Sequence, residues 1–93
     1  MSFIIQENIF LKKIGNQFIV YDQNASKSHI VNETAGEVLE MICTNLSTIE
    51  IKNVLKKKFA NIEGAIIDND IDEILNNYLE LGLICNNPHR QNR

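Results

Sequence analysis

Three short extended runs precede three helical ones in this chain. Residues Ile9–Ile14 (IFLKKI) and 18–22 (FIVYD) are rich in β-branched and aromatic side chains, and Gly15-Asn16-Gln17 separates them. Glycine followed by asparagine suits a tight hairpin turn, because glycine accepts positive φ without steric cost. A polar, turn-like QNAS (23–26) leads into a third strand at 28–31. Strands linked this closely predict an antiparallel meander.

The third strand runs into a helix with no loop between them. Asn32 is a good N-cap, and Ala35, Val38, Met41, Ile42 and Leu46 then share one helical face. Gly36 costs up to about 1 kcal/mol inside a helix relative to alanine, so close packing is the expected reason for it. A second helix opens on the capping box Ser47-Thr48-Ile49-Glu50, with Leu46 and Ile51 placed as a hydrophobic staple. Its expected buried face is Ile51, Val54, Leu55, Phe59 and Ile62. The lysines Lys56, Lys57 and Lys58 fall in its last turn, where cations meet the negative end of the helix dipole. The third helix is expected to start near 68–70, behind acids, and to run to Leu81 with Gly82 as its C-cap. LIC (83–85) reads as a final extended piece, followed by a polar, frayed tail over 86–93.

The third helix is apolar over too wide an arc. At 100° per residue Ile71, Ile74, Leu75, Tyr78, Leu79 and Leu81 cover roughly 160°, where roofing a core needs little more than 100°. The surplus faces either a neighbouring helix or a groove. Asp72, Glu73, Asn76, Asn77 and Glu80 make the opposite, solvent-facing side. The fold class is therefore α+β: a three-stranded antiparallel sheet followed by three helices, like a winged helix-turn-helix in its parts.

Composition narrows the function. A chain of 93 residues is one domain, and its 44% hydrophobic and 23% charged content is that of a globular protein. The net charge of −3, and a last helix with acids but no Lys or Arg, would repel phosphate, so nucleic acid is not an expected partner. The N-terminus lacks a basic region ahead of an apolar run, and no run is long enough to span a membrane, so a cytoplasmic location is expected. Cys43 and Cys85 read as buried free thiols. Asparagines recur every eight residues from Asn8 to Asn32, but their flanks share nothing, so there is no structural repeat. The two histidines, His29 and His89, suggest neither a nucleophile–base pair nor a metal site, and no cofactor is expected.

Three segments together resemble the PqqD family, the stand-alone form of the RiPP recognition element: VNETAGEVLEMI (31–42), STIEIKNVLKKKF (47–59) and DIDEILNNYLELGLI (70–84). The resemblance covers about residues 9–84. It departs from the family between the first two helices, where Cys43-Thr44-Asn45-Leu46 replaces the usual Asp-Gly. It implies a non-catalytic peptide chaperone over residues 1–85. Such a protein binds the leader segment of a ribosomally synthesised precursor peptide by β-strand addition. It presents the rest to a modifying enzyme, such as a radical SAM (S-adenosylmethionine) protein or a leader peptidase. The implied peptide-binding residues are Lys27, Ser28, His29, Ile30 and Val31 on the third strand, with Ile71, Ile74, Leu75 and Tyr78 on the third helix. The strand lacks the usual edge protection, so a monomer or an edge-to-edge dimer is expected. The alternatives are a small winged-helix DNA-binding regulator or antitoxin, and an accessory subunit packed permanently on its enzyme.

Overall fold

The computed structural model describes residues 2–87. In chain order the elements are β1 (Phe3–Ile5), β2 (Ile9–Ile14), β3 (Gln17–Asp22), β4 (Lys27–Val31), α1 (Glu33–Cys43), α2 (Thr48–Lys58), α3 (Gly64–Glu80) and β5 (Ile84–Asn86). Strands β2, β3 and β4 form the expected antiparallel meander, with β3 in the middle. The hairpin between β2 and β3 turns on Gly15 at φ 60°. Glycine is required there because the first central residue of a type II′ turn has positive φ.

A second sheet was not expected. Strand β1 pairs antiparallel with β5, Phe3 opposite Asn86 and Ile5 opposite Ile84. The extended piece at 83–85 thus has a partner some eighty residues away in sequence. Asn86, placed in the expected tail, is in β5, and Asn87 is buried with its N–H donated to the Ser2 carbonyl at 3.0 Å. The rest of the expected tail, including His89, lies outside the described residues.

Helix α1 covers one face of the meander, while α2 packs on α3 and α3 on β5. Val20, Val38, Leu39, Ile42, Ile51, Leu55, Ile71, Leu75, Tyr78, Leu83 and Ile84 form a continuous buried cluster. A Cβ on Gly36 would lie 1.9 Å from Cδ1 of Phe18, so only glycine lets α1 approach β3 this closely. The caps are as anticipated. Asn32 Oδ1 accepts from Ala35 N at 2.9 Å, and Ser47 and Glu50 complete their reciprocal box at 3.2 and 2.7 Å. Where the Asp-Gly of the resembled family is missing, Asn45 takes the left-handed conformation at φ 67°. Asparagine tolerates that region, so the interhelical turn survives the departure.

Three expectations fail locally. Helix α3 begins at Gly64, not at 68–70, with no acid in its first turn and no side-chain cap. Ile67 lies one turn before Ile71 and is buried, so packing extends the helix where capping chemistry does not. Val54 and Ile62 of the expected α2 face are exposed; only Ile51 and Leu55 are buried on this helix. Cys43 is exposed and Cys85 half-buried, because Cys43 ends α1 beyond the cover of its neighbours.

Candidate functional site

The outer edge of β4 is unpaired among the described residues, and the register tells which backbone groups it offers. A two-residue hairpin closes on a hydrogen-bonded pair, here Ile14 and Gln17. Alternation then aims the backbone groups of Ile19 and Tyr21 at β2, and those of Phe18, Val20 and Asp22 at β4. Their partners Val31, His29 and Lys27 are therefore engaged with β3. Ser28 and Ile30 are left with their N–H and C=O groups pointing away from the sheet. An incoming strand would find two donors and two acceptors there.

Where β4 stops, a groove begins. Asn32 and Thr34, at the start of α1, form one wall, and Asp70, Glu73 and Ile74 of α3 form the other. It continues into an apolar pocket of about 210 Å³ lined by Thr34, Phe59, Ile62, Ile67, Asp70 and Ile71, among others. The acids of α3 divide by flank. Asp68 and Asp72 face α2 and pair with Lys56 and Lys52, each at 2.9 Å. Asp70 and Glu73, on the groove, have no ion-pair partner among the described residues. The groove wall is thus apolar at Ile74 and locally negative beside it.

The structure separates the implied peptide-binding residues into three groups. Lys27, Ser28, His29, Ile30 and Val31 all lie on the open strand, and Ile30 is 69% exposed. Ile74 is half-buried on the groove wall. Ile71, Leu75 and Tyr78 are core residues with almost no exposed surface. The wide apolar arc of α3 is divided: Ile71, Leu75 and Tyr78 are spent on the core, Leu79 and Leu81 are exposed at the helix end, and the Ile74 flank reaches the groove. The Tyr78 phenol is also committed, donating to the Ala35 carbonyl at 2.6 Å. Burial pushes it well above the ordinary tyrosine value, so it stays a neutral donor tying α3 to the first turn of α1.

Asn32, Thr34, Asp70 and Glu73 were not singled out as site residues from sequence. Asp70 and Glu73 sit at i and i+3 beside Ile74, spacing that puts all three on adjoining surface. That was the available signal. A wider depression lies elsewhere, between α1 and α2, but the Glu37–Lys58 ion pair at 2.7 Å crosses it and no free strand borders it. No three His, Cys, Asp or Glu side chains converge among the described residues. Nor is any helix of the described residues long and apolar enough to cross a membrane.

No protein-family model matches the chain, and no curated protein matches its sequence. Its fold is similar to that of two solved structures. One is lasso peptide synthetase B1 complexed with the leader peptide, with a TM-score of 0.82 over 92% of this chain and 100% of that one, at 15% identity. The other is TbiB1 in complex with the TbiA(beta) leader peptide, with a TM-score of 0.80 over 87% of this chain and 93% of that one, at 9% identity. At such identities the likeness is one of fold, shared over nearly the whole of each chain.

Proposed function

We propose that this chain is a stand-alone recognition element of the PqqD kind. It binds the leader segment of a ribosomally synthesised precursor peptide as an added strand on β4. It presents the remainder to a modifying enzyme, a radical S-adenosylmethionine protein or a leader peptidase, and performs no chemistry itself. The observation that carries this reading is the junction of an open edge with a groove: the outward groups of Ser28 and Ile30 lead directly to Asn32, Thr34 and Ile74. Strand addition supplies main-chain hydrogen bonds, and the groove selects side chains. That both similar structures hold a leader peptide supports a ligand of the same class. The DNA-binding reading has α3 against it, with five acids and no lysine or arginine between Asp68 and Leu81.

The test is amide exchange with a synthetic leader segment, taken from any short precursor peptide that the neighbouring genes are found to encode. Ser28 and Ile30 should gain protection, while His29 and Val31, already bonded to β3, should change little. Ile30→Pro deletes an outward donor without removing a β3 bond and should abolish most of the binding. New protection confined to α2 around residues 56–58, with the β4 edge unchanged, would place the peptide elsewhere and overturn the mechanism.

A further inference from the structure

Thr34 and Asp70 line both the groove beyond β4 and the apolar pocket it runs into, so they stand where one opens into the other. The pocket draws on the core residues Leu55, Ile67 and Ile71 and on the less buried Phe59 and Ile62. Its volume is about 210 Å³. An apolar cavity of about 150 Å³ already admits a benzene ring, so one long side chain fits here.

Charge decides which side chain. Asp70 makes no hydrogen bond or ion pair among the described residues. Its neighbours on α3 differ, since Asp68 and Asp72 are paired with Lys56 and Lys52. Of the other α2 lysines, Lys58 is held by Glu37 and Lys57 forms no ion pair among the described residues. The mouth of the pocket thus carries a carboxylate without a cation of its own, beside an apolar interior. A purely aliphatic side chain entering there would cover that carboxylate without pairing it, which costs free energy. Lysine and arginine bring the same methylenes and end in a cation.

The sheet fixes which peptide positions can reach the pocket. Gly36 of α1 lies against Phe18, so the helix sits on the face to which Phe18 and its cross-strand partner Val31 point. His29 shares that face, while Ser28 and Ile30 point to the other. A strand added to β4 aims the residues opposite His29 and Val31 toward the helices, and those opposite Ser28 and Ile30 away from them. The pocket-filling residue therefore belongs to the first set, an odd number of places along the peptide from the residue paired with Ile30.

We infer that this pocket is a specificity subsite for one lysine or arginine of the bound peptide, its stem packed on Ile67 and Ile71 and its cation on the Asp70 carboxylate. This rests on the leader-binding reading and names what that site selects. The experiment titrates the full chain into the same synthetic leader segment, labelled with fluorescein, and reads anisotropy. Alanine is placed at each peptide position in turn. At one basic position it should weaken binding to wild type at least tenfold. Asp70→Asn, shown folded by circular dichroism, should weaken the unaltered segment as much, and alanine at that position should then cost little more. Asp72→Asn makes the same change in net charge on the α2 flank and should stay within about twofold of wild type. With lysine at the position, ornithine and diaminobutyrate keep the charge on shorter stems and should lose roughly fourfold per methylene removed. Moving the basic residue by one place turns it to the other face and should lose all of the gain that depends on Asp70. If wild type binds no segment, the leader reading fails and this inference with it. If it binds, but no position depends on Asp70, or the shorter stems bind undiminished, the subsite alone is overturned. An equal loss in Asp72→Asn traces the effect to net charge and overturns the subsite as well.

Discussion

Substituting Gly36 by alanine tests the packing that holds the candidate site together. An added Cβ would lie 1.9, 2.2 and 2.5 Å from three ring atoms of Phe18. Carbon atoms rest at about 3.5–4.0 Å, so the overlap is roughly 1.5–2 Å. The ring cannot simply swing aside, because Phe18 is fully buried. Overpacking of this kind costs about 1–3 kcal/mol, and an overlap this deep belongs at the upper end. Alanine's better helix propensity returns about 1 kcal/mol. The net loss is about 2 kcal/mol, which lowers Tm by about 8–16 °C in a domain of this size. Gly64→Ala is the internal control: its Cβ would meet only side-chain carbons of Lys56, at 3.7 Å. That variant should be neutral, or stabilised by up to about 1 kcal/mol through the unfolded state. Urea melts followed by circular dichroism measure both. Phe18 is opposite Val31, so amide shifts in Gly36→Ala should be concentrated at the end of β4. A Gly36→Ala protein at least as stable as wild type would refute the claim that this close approach fixes the junction of β4 and α1.

The other expectations are more local. Tyr78→Phe removes the 2.6 Å bond to the Ala35 carbonyl and should cost about 1 kcal/mol in a denaturant melt. Because burial raises the Tyr78 phenol above its unfolded value near 10, the folded state retains its proton longer; stability should therefore fall as pH rises above about 10, and be unaffected by this group below it. A pH series of melts for wild type and Tyr78→Phe isolates that contribution. Ser47→Ala breaks the capping box of α2 and should cost about 1 kcal/mol without changing leader affinity, since the box lies away from β4 and the groove. Asp70 and Glu73 should favour a leader carrying Lys or Arg at the groove, with affinity falling as salt is added; Glu73→Lys should reverse the preference in a competition between basic and acidic leader variants.

Sequence resolved what short-range physics decides. The two-residue turn at Gly15, the Asn32 cap and the Ser47 box each need only a few neighbouring residues, and each is where the pattern places it. The open β4 edge was legible for the same reason, since the strand carries no proline or bulge signal and only Lys27 at its entrance. Strand β1 was invisible because FII is too short to speak for itself and acquires its conformation from β5 at the other end of the chain. The start of α3 was misplaced because acids at 68–70 suggest an N-terminus, whereas they pair with α2 lysines or face the groove, and Ile67 is buried in the core. Helix periodicity identified the apolar arc of α3 but could not divide it. Whether Leu75 or Ile74 faces a ligand depends on where α1 lies, and that is set by Gly36 meeting Phe18, a contact between residues eighteen apart.

The energetics of the proposed interaction require both halves of the site. Ser28 and Ile30 offer two N–H and two C=O groups, so the edge supplies at most four main-chain hydrogen bonds. At about 1 kcal/mol net each, that is ~4 kcal/mol, no more than the ~4–15 kcal/mol that association costs in lost freedom, so the edge alone does not hold a ligand. The remainder must come from apolar side chains of the peptide, each contributing ~1.5–3 kcal/mol when buried. The groove has two places to bury them: beside Ile74, and in the pocket between Ile62 and Ile67. Both places are framed by contacts within the chain. The Asn32 cap sets the start of α1, Tyr78 ties its first turn to α3, and Phe18 against Gly36 fixes its distance from the sheet. Ordering entropy is then borne mainly by the peptide, the condition under which so short an edge can retain a ligand.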